Sequence, residues 1–555
     1  MATTAAFCLT TTPIGEPVCR RQYLPSVWGN FFLTYQPCTP EEVQSMEERA
    51  LAKKTEVGRM LQEVAASGDL ARKLGLVDEL ERLGVDYHYK TEINDLLGAI
   101  YNGKDDDNGG SDDDLYITSL KFYLLRKHGY ALPSDVFLKF RDEQGNISSD
   151  DVKCLIMLYD ASHLRIHEEK ILDNINSFTK SCLQSVLETN LEPALQEEVR
   201  CTLETPRFRR VERIEARRFI SAYEKNIARD DALLEFAKLD YNIVQILYCK
   251  ELKELTVWWK EFHSQTNLTF ARDRIVEMYF WVMAIIYEPC YSYSRIWVTK
   301  MFLSVALLDD IYDNYTSTEE SNIFTTAMER WDAKATEQLP ANMRTFYDYL
   351  ICTTDEVVEE LKLQNNKNAE LVKKVLIDAA KCYHSEVKWR DDHYVPNDVG
   401  EHLQLSMRSI AAMHSINFIF ISLGAVCTRE AVECAFTYPK IIRGICVHAR
   451  ISNDIASHER EQASEHMAST LQTCMKQYGI TVEEAAEKLR VINEESWMNI
   501  VEECLYKDQY PLALSERVVA FAQSICFMYN GVDKYTIPSK LKDSLDSLYV
   551  NLISV

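Results

Sequence analysis

The chain has 555 residues, 46% hydrophobic and 26% charged, with a formal net charge of -24. That length is too great for one compact core and implies two or three domains of ordinary globular composition. So acidic a surface repels nucleic acid and anionic membrane and argues against a phosphate-backbone binder. An anionic small-molecule substrate would need local basic side chains or metal ions.

Only 17 Gly and 14 Pro are present, too few for the turns of an all-β protein, so a nearly all-helical chain is expected. Between Met1 and Cys19 no basic stretch leads into a long apolar run, and Arg20 and Arg21 are the first basic residues. Neither a secretory signal nor a plastid transit peptide is expected, and the reading is cytoplasmic. The 16 cysteines include no CxxC pair, and Cys446 and His448 lack a matching second pair. They read as reduced core thiols and not as a structural zinc site. From about Glu41 the apolar residues recur at helical spacing, first Leu61, Val64 and Ala65, then Leu76, Leu80 and Leu83. The stretch 105–114 is a polar loop without the alternating ligands of a calcium loop.

The charged segment 214–231 reads as a seam, dividing the chain into 20–225 and 226–555. Beyond it, longer apolar helices are predicted over 275–287, 299–312, 405–423 and 441–461. The apolar span 411–426 is interrupted by His414, Ser415, Asn417 and Ser422, and is too short and polar for a membrane span.

In Val305-Ala306-Leu307-Leu308-Asp309-Asp310-Ile311-Tyr312-Asp313 an apolar helix runs into three carboxylates. Asp309 and Asp313 share a helix face about 6 Å apart along the axis. Carboxylates this close repel unless a cation bridges them, and a hard divalent ion such as magnesium suits oxygen ligands. The other reading of this segment alone is a solvated helix end. A second segment, 450–461, sets Asn453, Ser457 and Glu461 at four-residue steps on one helical ladder, with Arg450 a turn before. Asp454, Glu459 and Arg460 are expected to point elsewhere. Arg272 and Arg274, just before a helix, offer guanidinium forks suited to diphosphate oxygens.

The DDxxD segment, the ladder beginning at Asn453 and the Arg272-Asp273-Arg274 loop together resemble the signatures of plant class I terpene synthases. Leu24-Pro25-Ser26-Val27-Trp28-Gly29 resembles the entry segment of their cytosolic sesquiterpene branch, and Glu277-Met278-Tyr279-Phe280-Trp281 is also similar to family sequence. The resemblance runs from about Arg20 to the end of the chain. It implies two all-α domains: an N-terminal helical barrel without chemistry of its own, and a C-terminal α-bundle holding the site. It further implies three Mg2+ ions, with Mn2+ able to substitute, on Asp309, Asp310, Asp313, Asn453, Ser457 and Glu461. Arg272, Arg274 and Arg450 would receive the diphosphate alongside Asp309, Asp313 and Asn453. Trp281 would stabilise a carbocation, with Tyr535 and Asp533 at a C-terminal lid. No DxDD occurs, so ionisation by metal is the only initiation on offer. The expected activity is that of a sesquiterpene synthase acting on farnesyl diphosphate, and a monomeric one. A monoterpene synthase acting on geranyl diphosphate, a prenyl elongase and a metal-free helical scaffold are the alternatives. Ser409, Ile410 and Met413 are expected to shape the cavity wall. Ser464 stands where relatives often carry a basic residue, and Met528 where an aromatic is common. Product identity is not legible.

Overall fold

Thr39 opens the first long helix, Pro40–Ala66, with a capping box in which its side chain accepts from Glu42 N and the Glu42 carboxylate accepts from Thr39 N. Ser317, Ser469 and Thr481 start helices Thr318–Arg330, Thr470–Tyr478 and Val482–Tyr506 in the same way. In this computed structural model, which describes residues 23–103, 114–266, 271–339, 341–462 and 468–555, every regular element among the described residues is helical. Arg20, Arg21, Ser464 and residues 105–113 of the acidic stretch lie outside them. Asp114, at the end of that stretch, caps helix Leu115–Lys127 by accepting from Ile117 N at 3.1 Å.

A first group of helices runs from Pro40–Ala66 to Glu212–Tyr223, and a second from Asp231–Thr266 to Lys542–Tyr549. The residues between Tyr223 and Asp231 fall within the charged segment read as the seam. The two groups share one continuous apolar core. Polar bonds tie them as well. Glu494 accepts from Arg209 at 2.7 Å and from Arg165 at 3.0 Å, Gln523 donates to the Phe208 carbonyl at 2.8 Å, and Lys90 meets Glu288 at 3.0 Å.

At the centre of the second group lies Ile275–Ile285, buried at every residue and apolar at all but Glu277. Around it pack Ser292–Tyr315, Asp231–Thr266 and Leu512–Met528. Lys440–Glu461 approaches Val482–Tyr506 closely at Gly444, where an added Cβ would sit 3.2 Å from the Ser496 carbonyl oxygen. No helix of the described residues is long and apolar enough to cross a membrane.

One predicted element is corrected. The single helix read over 405–423 is two helices, Val399–Ser409 and Ala412–Ser422. Between them Ala411 takes left-handed backbone angles, φ 62°, which an L-residue with a Cβ adopts only at a cost of about 1–2 kcal/mol. The apolar pattern runs on through the break with no Gly or Pro to mark it.

Candidate active site

Helices Ile275–Ile285, Ser292–Tyr315, Leu371–Asp391, Lys440–Glu461 and Leu512–Met528 surround a cavity with about 1130 Å³ of free space, mouth included. One part of its wall is apolar, formed by Met278, Trp281, Phe302, Val305, Phe521 and Ile525. The other part is charged: Asp309, Asp313, Glu386, Glu461 and Asp533 lie among Arg272, Arg450 and Arg460. The charged part is the more open, with 35% of the Asp309 side chain accessible against 8% of Trp281, and it forms the mouth.

The helical register read from the sequence separates the three aspartates. Asp309 and Asp313 line the cavity, whereas Asp310 is buried beside it. Asp310 Oδ2 accepts from Arg272 N at 3.0 Å and from Arg272 Nε at 3.2 Å, and Arg272 Nη2 also reaches Asp309 Oδ2 at 2.8 Å. The end of the aspartate helix is held by Arg390, which donates to the carbonyls of Tyr312 at 2.9 Å, Asp313 at 2.8 Å and Thr316 at 2.8 Å. A guanidinium there satisfies the orphan carbonyls and suits the negative end of the helix. Arg390 lies on Leu371–Asp391, and so does Glu386, whose carboxylate faces Asp313.

Burial and the facing Asp313 carboxylate push Asp309 well above the ordinary carboxylate range, against the pull of Arg272. Burial likewise raises Glu386, with Asp313 adding to it and Arg450 opposing. Three carboxylates converge here, more negative charge than the neighbouring Arg272 and Arg450 offset.

On Lys440–Glu461, Asn453 and Glu461 line the cavity and Ser457 sits between them, fully buried. Among the described residues Ser457 Oγ has no hydrogen-bond partner. A buried hydroxyl left in that state, flanked by amide and carboxylate oxygens, is what a hard cation would complete. Arg450 donates to Asp454 Oδ1 at 3.2 Å and to the Ser406 carbonyl at 3.2 Å, and lies 3.9 Å from Glu386. Asp454 turns from the cavity as expected, accepting from Thr470 N at 2.6 Å.

The terpene synthase metal-binding domain model matches residues 260–499, and the terpene synthase N-terminal domain model matches residues 27–203. The chain belongs to the terpene synthase family. It is 51% identical to an (E)-beta-caryophyllene synthase of Zea mays, over 95% of each chain. A beta-sesquiphellandrene synthase of Sorghum bicolor is 42% identical over 96% of each chain. Among solved structures, isoprene synthase of grey poplar in complex with three Mg2+ ions and dimethylallyl-S-thiolodiphosphate superposes with a TM-score of 0.85 at 30% identity, covering 95% of this chain and 99% of that one. A limonene synthase with 2-fluorolinalyl diphosphate gives 0.89 at 27% identity, covering 96% and 99%. The two-domain all-α fold is that of the family, and the synthase is a lyase acting on prenyl diphosphates.

Within the synthase, Arg274 stands apart from the cavity. Fully buried, it donates to the carbonyls of Leu24 at 2.7 Å, Asp273 at 2.8 Å, Tyr535 at 3.0 Å and Thr536 at 3.2 Å. It pins the N-terminal entry segment and the C-terminal loop to the base of Ile275–Ile285. Trp281 does face the cavity, edge-on to Phe521 with ring centroids 5.8 Å apart, and 6.0 Å from Tyr529. Tyr535 and Asp533 both line it. Asp533 Oδ1 accepts from the backbone N–H groups of Tyr535 and Thr536, each at 3.1 Å, which fixes the loop. The Tyr535 ring lies 5.1 Å from the Arg272 guanidinium carbon, and Tyr23 lies 5.3 Å from it.

Ser409 and Ile410 line the cavity as expected; Met413 is buried but does not. Met528 is wholly buried outside the lining, and the neighbouring Tyr529 supplies the aromatic there. Arg460, expected to point elsewhere, lines the mouth and donates to Asp533 Oδ2 at 3.0 Å. Glu386 and Tyr383, three apart on one helix face, also line it and were not singled out from the sequence. Nothing in their local pattern separates them from any other pair on an amphipathic helix.

Proposed function

We propose that this chain is a magnesium-dependent sesquiterpene synthase that ionises farnesyl diphosphate and cyclises the resulting carbocation. The observation that carries the reading is the placement of Asp309, Asp313 and Glu386 on two helices at the mouth of an apolar cavity that the Asn453–Ser457–Glu461 ladder also borders. Identities of 41–51% to caryophyllene, farnesene and sesquiphellandrene synthases support farnesyl over geranyl diphosphate.

In this reading Asp309, Asp313 and Glu386 would hold Mg2+ on one side and Asn453, Ser457 and Glu461 on the other, three ions in all with Mn2+ able to substitute, while Asp310, buried outside the lining, would not be a ligand. Bound there, the metal supplies the positive charge that stabilises diphosphate as a leaving group. Arg272 and Arg450 orient the diphosphate, and the allylic C–O bond breaks with its electron pair leaving on oxygen. The apolar wall excludes water from the carbocation, and the Trp281 π face stabilises it. Asp533, bonded to the backbone of its own loop, fixes the segment that sets the Tyr535 ring against Arg272. The division at 225/226, with an N-terminal unit free of chemistry, belongs to the same proposal, as do a cytoplasmic location and a monomeric state.

The test is product analysis. Purified protein with Mg2+ and farnesyl diphosphate is expected to yield hydrocarbon by gas chromatography and to release diphosphate, both abolished by EDTA. Faster turnover of geranyl diphosphate would favour the monoterpene alternative; no diphosphate release from either substrate would overturn both.

A further inference from the structure

We infer that Arg460 is a diphosphate-binding residue of this synthase, held in place by Asp533. The inference rests on the proposed reaction and adds a residue that neither the sequence motifs nor the comparisons assign.

The helical register points to it first. Asn453 and Arg460 are seven residues apart, two turns to within about 20°, so both project from the same face of Lys440–Glu461. Both line the cavity. Arg460 thus stands beside Glu461 at the end of the oxygen ladder, with Nη2 3.6 Å from Glu461 Oε1.

Accessibility then distinguishes it from the other guanidiniums. Arg274 is fully buried and bonded to four carbonyls. The Arg272 side chain is 14% accessible and lies against Asp309 and Asp310; that of Arg450 is 13% accessible and held by Asp454 and Ser406. The Arg460 side chain is 32% accessible. It is the guanidinium most open to an incoming anion.

Charge gives the reason. Five carboxylates line the cavity, Asp309, Asp313, Glu386, Glu461 and Asp533, against three guanidiniums, Arg272, Arg450 and Arg460. Before metal arrives, a polyanion meets a net negative rim, so each accessible cation matters to whether diphosphate can enter and stay. Asp533 fixes the direction of the fork. Its Oδ2 accepts from Arg460 Nη2 at 3.0 Å while its Oδ1 accepts from Tyr535 N and Thr536 N. Diphosphate bound at Arg460 is thereby tied, through one carboxylate, to the loop that carries Tyr535.

Arg460→Gln removes the charge and shortens the side chain away from Asp533, whereas Arg460→Lys keeps the charge without the fork. Titration calorimetry of the full chain with inorganic diphosphate at saturating Mg2+ is expected to show about tenfold or greater weakening for Arg460→Gln. KM for farnesyl diphosphate should rise with it, and Arg460→Lys should recover most of both. A melting temperature within a few degrees of the parent would exclude a merely structural effect. Should Arg460→Gln be unstable, the charge-retaining Arg460→Lys decides: loss of diphosphate affinity beyond about tenfold there would overturn the assignment in favour of a packing role. Diphosphate affinity within twofold of the parent in Arg460→Gln also overturns it. Failure of the unaltered protein to bind diphosphate with Mg2+ would instead overturn the proposed reaction.

Discussion

Arg272 Nη2 lies 2.8 Å from Oδ2 of Asp309, so a guanidinium is the cation on a carboxylate assigned to metal. The same guanidinium is 2.8 Å from Asp310 Oδ1. Two adjacent aspartates therefore have different work: Asp309 opens on the cavity, and Asp310 is a buried anchor for the loop that carries Arg272.

Their variants should separate accordingly. Asp309→Ala is expected to abolish turnover while circular dichroism and melting temperature stay near those of the parent. Asp310→Ala removes the buried partner of Arg272 and leaves it only the more open Asp309 at 2.8 Å, so the cost stays below the roughly 3–5 kcal/mol of a fully unpaired buried charge. It should lower the melting temperature markedly as well as the rate. Appreciable turnover in Asp309→Ala would remove that residue from the metal site.

The carboxylate cluster also predicts how pH acts on the metal-free protein. Asp309 and Glu386 are both raised above ordinary values near 4, by their partial burial and by the Asp313 carboxylate beside them. Acids raised in the folded state bind more protons there than in the unfolded chain. Their contribution to stability is therefore greatest at low pH and declines as pH rises above about 4 toward their raised folded-state values. Mg2+ binds the deprotonated form, so the gain in melting temperature on adding Mg2+ should grow across the same window. A gain that does not change with pH would mean the ion binds away from Asp309 and Glu386.

Trp281 stands on the fully buried helix with its ring in the cavity wall. Trp281→Leu keeps an apolar wall but removes the π face. It is expected to release diphosphate while shifting the hydrocarbons toward acyclic or early-quenched products. A product profile matching the parent would reduce Trp281 to packing.

What the sequence revealed and what it hid follow from how each signal is carried. Asp309 with Asp313, and Asn453 with Ser457 and Glu461, repeat at the helical period, so their shared faces are written in their spacing. Arg272 and Arg274 are two residues apart and chemically alike, yet one borders the cavity and the other is bonded to four carbonyls. Only tertiary packing separates them. Glu386 enters the site from a helix with no motif, and Arg460, seven residues from Asn453, lies off the four-residue steps of the ladder, so its spacing reads equally as a surface salt bridge. The break at Ala411 was hidden because the expected marker, Gly, is absent.

That break yields a last prediction. Ala411 lies at φ 62° between Ile410 and Ala412, and the four consecutive residues 409–412 all line the cavity. The left-handed residue sets where the wall turns, so its strain is stored beside the substrate. Ala411→Gly relieves the Cβ contact and should be neutral or stabilising by up to about 1 kcal/mol in the folded state, offset in part by the greater freedom of unfolded glycine. Ala411→Val places a β-branched side chain in a conformation it strongly disfavours and should cost about 1–3 kcal/mol. Thermal melts measure the stability difference, and gas chromatography of the products measures the second effect. If the break shapes the cavity, Ala411→Val redistributes products even where turnover survives, because straightening or shifting the turn moves Ser409 and Ile410 against the carbocation. Equal melting temperatures for the two variants would show that the left-handed turn carries no strain at this position.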